Sequence, residues 1–498
     1  MEQKKFVKKN EMTAFCVAGL GQGMIYALMS SYISDYYLNV LQLTPMFVLL
    51  LMLLARVWDA INDPLMGMIV DRSNLKSGKM LPFIRFALIP IAVVTLLMYL
   101  SPNLDKTQLM IYSAIVYVAW GMIYTVGDVS FWGLPNVMTP DSEERSSVIS
   151  VSKIFNSIGS AVPEVLFLVV GFAIAAWAEN SNVTDFLTIQ KRKYLIMAII
   201  TVGLGTILYA RACTGVKEHV KMPVKKRQKG EPSQLTRIFK CKPLVLVLLM
   251  GVLSSGRYMV SAAAIHVARY SFYIGPDLAT LDEAARNSAI ESSISTVKTV
   301  FQISSIVGLF GATLFMPKLM KKFDYKKLVI TTCLAGFVAS IVTTIVGWFT
   351  MNLYACIPFI IISCIPLGVI NTVTLAMIGD CLDYMELKTG FRDNALGAAC
   401  QGFINKIGNA FATSGIVIMY MVIGLDPAQM YSSTAVVSAL DMPPEMRFAM
   451  FSLVSIVPGI SMLLCALPMF FYKIAGKEKK DMISALQAKR EAEGLVVE

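Results

Sequence analysis

Residues 46–70 read MFVLLLMLLARVWDAINDPLMGMIV. About 20 apolar residues suffice to cross a bilayer as a helix, and this run is long enough. Its first ten residues carry no charge, and its second half holds Arg56, Asp59 and Asp63. An ionisable side chain at the bilayer centre costs at least ~2.5–3.5 kcal/mol on insertion scales, so it must be paired, hydrated or functional. Asp59 and Asp63 are four residues apart, which puts both carboxylates on one helix face a turn apart. Like charges this close in a low dielectric repel. One of them holds a proton unless a cation sits between them. Oxygen ligands of this kind suit Na⁺, Li⁺ or H⁺ rather than a soft metal. Pro64 removes one helix hydrogen bond and can free a carbonyl nearby. The competing reading is a structural ion pair of Asp59 with Arg56, three residues before it.

The rest of the chain has the same character. Of 498 residues, 56% are hydrophobic and 15% charged, and mean hydropathy is +0.63. An ordinary soluble domain carries roughly 25% charged residues. Soluble enzymes, nucleic-acid-binding domains and disordered scaffolds are excluded on that ground, and a polytopic membrane protein is expected. Two histidines argue against histidine-rich metal sites and haem. Nine cysteines, among them Cys16, Cys333, Cys364 and Cys465, show no paired spacing and read as small core residues. The N-terminal MEQKKFVKKN is basic, but the apolar run after it is long enough to span and shows no A-x-A exit, so no cleaved leader is expected.

Twelve apolar segments recur, at 12–40, 46–70, 82–101, 108–133, 148–176, 194–213, 243–274, 294–317, 328–350, 353–378, 394–424 and 447–473. The charged run Gly379–Arg392 reads as a break between the tenth and eleventh. Basic residues orient them. Lys4, Lys5, Lys8 and Lys9 precede the first segment. Arg72, Lys76, Lys79 and Arg85 follow the second, Lys217 to Lys229 the sixth, and Lys318 to Lys327 the eighth. Lys477, Lys479 and Lys480 close the chain. With twelve helices all of these fall on one side, so both termini are expected in the cytoplasm of a plasma-membrane protein. Lys191, Arg192 and Lys193 fall on the wrong side. Gly67–Arg72 and Pro317–Asp324 close equivalent segments of the two halves. The expected organisation is a six-helix half over 1–213, a basic cytoplasmic linker over 214–242, a second six-helix half over 243–475 and a charged tail over 476–498. Two pseudo-symmetric six-helix halves suggest an all-α protein of the major facilitator type.

Other segments carry polar groups too. In the fourth, Thr125, Asp128 and Trp132 share a face. A carboxylate beside an indole suits a sugar, whose C–H face stacks on the ring and whose hydroxyls donate to the carboxylate. Simple aromatic packing is the alternative. The fifth shows one polar stripe of Lys153, Ser157, Ser160 and Glu164. The seventh carries Arg257 and His266, with Arg269 nearer its end. The eleventh carries Gln401, Asn405 and Lys406. Lys406 balances the carboxylates of the second and fourth segments or acts as a strut. His266 reads as a satisfied core residue. Gly19, Gly21 and Gly23, beside Gln22 and Tyr26, allow close helix contact. The string GLGQG is no dinucleotide fingerprint, since no strand precedes it.

Three motifs together resemble the glycoside-pentoside-hexuronide:cation symporters, the melibiose permease-like family of the major facilitator superfamily. They are Arg56-Val-Trp-Asp59-Ala-Ile-Asn62-Asp63-Pro-Leu-Met-Gly67, Tyr124-Thr-Val-Gly-Asp128-Val-Ser-Phe-Trp132 and the run Asp380–Arg392, which matches a cytoplasmic loop. The similarity runs through nearly the whole chain. It implies a cation site from Asp59, Asn62, Asp63 and Thr125, a sugar site at Asp128 and Trp132, and matching roles for Arg56 and Lys406. Gln22 and Gly23 stand where the melibiose permease-like pattern has a Lys-Asp pair, Lys153 replaces an arginine, and Gly402 replaces a threonine. The missing carboxylate is the one that binds galactoside hydroxyls there. With Lys153, Arg257 and Lys406 present, a uronide carboxylate becomes an attractive substrate group. Glu164 argues the other way, since it can neutralise one of those bases.

The expected protein is a secondary transporter, not an enzyme, that couples Na⁺ or H⁺ to uptake of a sugar or glycoside, a uronide among the candidates. Gln22, Tyr26, Lys153, Arg257, Gln401 and Asn405 join Asp128 and Trp132 as substrate candidates. Arg56, Glu164 and Lys406 balance charge, and Asp71, Arg72, Asp383 and Arg392 gate. Its partners are the sugar, a monovalent cation and the bilayer. No cofactor, nucleic acid or obligate protein partner is expected. The alternatives are a carrier of an amphipathic lipid-like substrate and a non-transporting membrane sensor.

Overall fold

The computed structural model describes residues 6–73, 78–139, 142–181, 183, 185–219, 241–389, 394–426, 431–432, 435–436 and 438–492. Arg392 lies outside that set, as do the side chains of Asp63, Asp71, Arg72 and Gln401 and most of the linker. Gating by Asp71, Arg72 and Arg392 therefore has no structural description.

The N-terminal part runs α1 (Lys9–Asp35), α2 (Pro45–Arg72), α3 (Leu81–Met98), α4 (Lys106–Gly133), α5 (Ser142–Asn180) and α6 (Phe186–Tyr209). Local chemistry starts these helices. Pro45 and Pro82 sit in first turns, where no N–H is needed. Asp105 accepts from Gln108 N at 2.8 Å, and Asp185 from Leu187 N at 3.1 Å, each covering an orphan donor. The C-terminal part runs α7 (Lys242–Leu253), α8 (Met259–Tyr270), α9 (Glu283–Lys322), α10 (Tyr325–Thr350), α11 (Leu353–Thr389), α12 (Asn394–Val422), α13 (Pro444–Ser452), α14 (Ile456–Phe471) and α15 (Gly476–Ala492). A two-residue antiparallel ladder pairs Tyr431 with Val436.

Ten helical segments among the described residues are long and apolar enough to span a membrane. Two more long helices, α2 and α12, lie at the second and eleventh expected segments. Large apolar side chains face outward along these helices, among them Phe86, Ile111, Ile207, Leu314 and Phe349. Such a surface requires an apolar solvent.

Two expectations need correction, and the tail gains detail. The charged run Gly379–Arg392 is not a loop through most of its length: α11 stays helical to Thr389, because Leu382 and Met385 still bury into the core. The seventh segment is not continuous. A 3₁₀ turn at Ser254–Tyr258 separates α7 from α8, and there Gly256 N donates to Ser461 Oγ at 2.8 Å. The charged tail is also ordered. Most of it forms α15, which buries Met482 and Leu486 and pairs Lys479 with Asp380 at 2.6 Å.

The chain separates into two compact units. The first holds 1–226, 273–299 and 420–438, and the second holds 227–272, 300–419 and 439–498. α9 therefore starts in the first unit and ends in the second. In the first unit α1 packs on α5 and α6 through its glycines. A Cβ at Gly19 would meet Ser152, one at Gly21 the backbone of Gly205 and Tyr209, and one at Gly23 the Asn156 carbonyl. In the second unit the core lies between α7, α10, α11 and α14, with Val247, Val329, Val373 and Cys465 fully buried. Cys333 and Cys465 stand with sulfurs 3.8 Å apart as free thiols.

Candidate functional site

In the first unit α4 organises the polar residues. Gly121, Thr125, Asp128 and Trp132 recur at helical spacing and share one face. At one end of that face, α2 brings up Asp59. A Cβ at Gly121 would lie 3.3 Å from Asp59 Oδ1, so the missing side chain makes room for the carboxylate. Arg56 Nη1 pairs with Asp59 Oδ2 at 3.3 Å, with the two side chains 14% and 18% exposed. The i−3 ion pair weighed from sequence is therefore present. Arg56 Nε and the Nδ2 of buried Asn62 have no hydrogen-bond partner among the described residues, which do not include the Asp63 side chain. Thr125 Oγ1 donates to Gly121 O at 3.0 Å.

At the other end of the face Gln22 Nε2 donates to Asp128 Oδ1 at 2.7 Å. The Trp132 side chain lies beside the same carboxylate. Tyr124 stacks on Trp120 with centroids 4.6 Å apart and meets Tyr26 at 5.5 Å. The structure thus joins Gln22, Asp128 and Trp132, with Tyr26 beside Tyr124 a turn away. Asn156 was missed from sequence. Its Nδ2 donates to Gly19 O at 3.0 Å and lies 3.3 Å from Gln22 Oε1, so it holds the glutamine that holds Asp128. Its position on the polar stripe of α5, three residues after Lys153, was the available signal. The Lys153 ammonium has no hydrogen-bond or ion-pair partner among the described residues, and its residue is exposed.

Glu164 does not neutralise Lys153, Arg257 or Lys406. It pairs with Lys298 of α9, and Tyr32 Oη donates to its Oε2 at 2.7 Å. Lys298 was not singled out from sequence. Lys193, on the wrong side by the charge rule, is fully buried and pairs with Glu291 of α9. It is an internal ion-pair partner, whereas Lys191 and Arg192 are exposed, with Arg192 4.0 Å over the Trp177 ring.

In the second unit Arg257 is 3% exposed. It donates to Ser254 Oγ and to Tyr258 Oη, the latter at 2.9 Å, and Tyr258 Oη donates to Asn405 Oδ1 at 3.2 Å. Arg257 Nε has no partner, and no carboxylate pairs with this guanidinium among the described residues. Lys406 and Asp383 are half-buried and both make further interactions. His266 is fully buried and also partnered.

Apolar helices of this number and length, with hydrogen-bonded carboxylates part way along them, define a multi-pass membrane transport protein. The chain belongs to the family described as MFS/sugar transport protein, whose model matches residues 14–277 and 290–476. That membership agrees with the symporter resemblance of α2, α4 and the 380–392 run. The chain is 24% identical over 502 residues to the uncharacterized symporter YjmB of Bacillus subtilis, covering 98% of this chain and 97% of that one. It is 24% identical over 494 residues to the lactose permease of Lactobacillus delbrueckii subsp. bulgaricus, covering 96% and 72%. Among solved structures, a bacterial homologue of the human lysosomal transporter Spinster superposes with a TM-score of 0.59 at 11% identity, covering 94% of this chain and 97% of that one. That likeness establishes the fold.

Proposed function

We propose that the protein couples inward movement of one monovalent cation to uptake of a sugar or glycoside by alternating access. The observation that carries this reading is the single face of α4, which meets Asp59 at Gly121 and Gln22 at Asp128, with Thr125 and Trp132 on the same face. About 10 Å of helix axis separates Gly121 from Asp128 at 1.5 Å per residue. One rigid helix edge then reports cation occupancy to the sugar carboxylate, and each ligand favours binding of the other. Asp59, Asn62, Asp63 and Thr125 hold Na⁺ or H⁺, while Asp128 and Trp132 hold the sugar ring. A lactose permease among the relatives supports the sugar class. Membrane potential contributes ~2.3 kcal/mol per charge per 100 mV to accumulation. Both termini lie in the cytoplasm, and the protein resides in the plasma membrane.

Arg257 favours a substrate with a carboxylate. A buried guanidinium with an open Nε and no acidic partner among the described residues is suited to a uronide. The test is uptake into proteoliposomes of a labelled glucuronide and its neutral glucoside, with and without an inward Na⁺ gradient at fixed pH. Na⁺-stimulated glucuronide uptake is expected. Preference for the glucoside retires the uronide. Uptake driven only by a proton gradient assigns H⁺. Uptake of neither sugar under any gradient removes the sugar reading and turns attention to lipid-like substrates.

A further inference from the structure

We propose that Glu164, Lys193, Glu291 and Lys298 form a charged latch that closes the outer side of the protein, made in the conformation described here and broken when that side opens to substrate. The inference rests on the alternating-access reading and on its topology.

The two ion pairs tie α5 and α6 to the first half of α9, at the end of the first unit remote from the N-terminus of α1. Glu291 and Lys298 are seven residues apart on α9, so they share a face two turns apart. All four charges are nearly inaccessible, with exposures of 6% or less. Each has further partners. Gln190 donates to Glu291, Lys193 donates to Ser295 Oγ at 3.1 Å, and Tyr32 bridges Glu164 and Lys298. Lys193 Nζ lies 3.3 Å from the Phe167 ring centroid and Lys298 Nζ 4.3 Å from that of Tyr32. Gly171 of α5 admits α9 closely, since a Cβ there would collide with Ser295 Oγ.

This contact accounts for the grouping of residues 273–299 with 1–226, while the rest of α9 groups with the second unit. It also explains why charge is used. Apolar side chains would hold the closed state and leave the open state poorly solvated. Paired charges are satisfied by each other when dry and by water when parted, so both states are tolerated.

Spin labels at Asp185→Cys and Thr280→Cys, both exposed and both in the first unit, report the separation of α6 and the start of α9. The partly exposed Cys213 is replaced, and the other eight cysteines are buried. In nanodiscs without substrate, Lys298→Met is expected to raise the long-distance fraction at least twofold. The exchange Glu164→Lys with Lys298→Glu is expected to return it toward the parent. Gly171→Ala, which alters no charge, should shift it in the same direction as Lys298→Met and serves if that variant does not fold. Distances unchanged in Gly171→Ala and in Lys298→Met overturn the latch, as does an exchange no closer to the parent than the single variant. Distances that respond in a protein that takes up no sugar leave the latch standing and remove the sugar reading.

Discussion

The charges of α2 and α4 and the ion pairs of α5, α6 and α9 lie in the same unit, yet they are resolved differently. In the α9 cluster every charge has an opposite charge and an added hydrogen bond or ring face. In the α2 cluster one loose pair at 3.3 Å stands beside two buried nitrogens with no partner among the described residues. Full pairing stabilises one conformation, because nothing more can bind. Incomplete pairing leaves free energy to be released by a ligand. On the proposed function, the difference separates groups that hold a state from groups that wait for an ion.

The largest effect should come from breaking a complete pair. Lys193→Met leaves Glu291 buried without a cation, and removal of one member of a buried pair costs about 3–5 kcal/mol. A lower melting temperature in detergent is expected, with much of it recovered when Glu291→Leu is added. A single variant that melts with the parent would mean the pair is not desolvated in the membrane. Asp59→Asn should behave in the opposite way. Without Na⁺ its melting stays near the parent, since its partner Arg56 keeps access to solvent. The rise that the parent gains from cation is lost: saturation at 100 times Kd is worth ~2.7 kcal/mol. Thermal shift against Na⁺ and against pH checks this. An undiminished cation response in Asp59→Asn removes Asp59 from the site. Asp128→Asn comes next. Hydrogen bonds to a charged group are worth ~1.5–3 kcal/mol, so sugar affinity should fall roughly 10- to 150-fold with the cation response retained. Equilibrium binding of labelled sugar measures it, and a lost cation response would instead place Asp128 among the ion ligands.

Much of this contrast was legible in the sequence. The twelve apolar runs, the charges of residues 46–70 and the face of α4 follow from hydropathy and helical period, which are local signals. The pairing of Glu164 was not. Its partner Lys298 lies 134 positions away, and nothing local marks a buried lysine as paired. Glu291 fell just outside a segment taken to start at 294, because apolarity defines the membrane crossing and not the end of the helix, and α9 begins at Glu283. The misplaced Lys193 was the available clue. A basic residue that breaks the loop-charge pattern is a candidate for burial, and its acid was to be sought on another segment. The helical course of 379–389 was hidden for the same reason, since charge ended the apolar run but not the helix.

The smallest effect sharpens the contrast within the end of α4 proposed to hold the sugar. Asn156 donates to Gly19 O at 3.0 Å and reaches Gln22 Oε1 at 3.3 Å, so it acts on Asp128 only through Gln22. Loss of a neutral hydrogen bond is worth ~0.5–1.5 kcal/mol. Asn156→Ala should therefore weaken sugar binding by about 2- to 12-fold, with the cation response and the labelled distances of the α9 cluster unchanged. Asn156→Asp keeps the shape but replaces the donor with a like charge near Asp128, and should cost more than alanine does. If alanine and aspartate weaken binding equally, Asn156 positions nothing and serves only to pack α1 on α5. If alanine alone costs as much as Asp128→Asn, the asparagine touches the sugar directly, and the carboxylate is one member of a two-residue site rather than its centre.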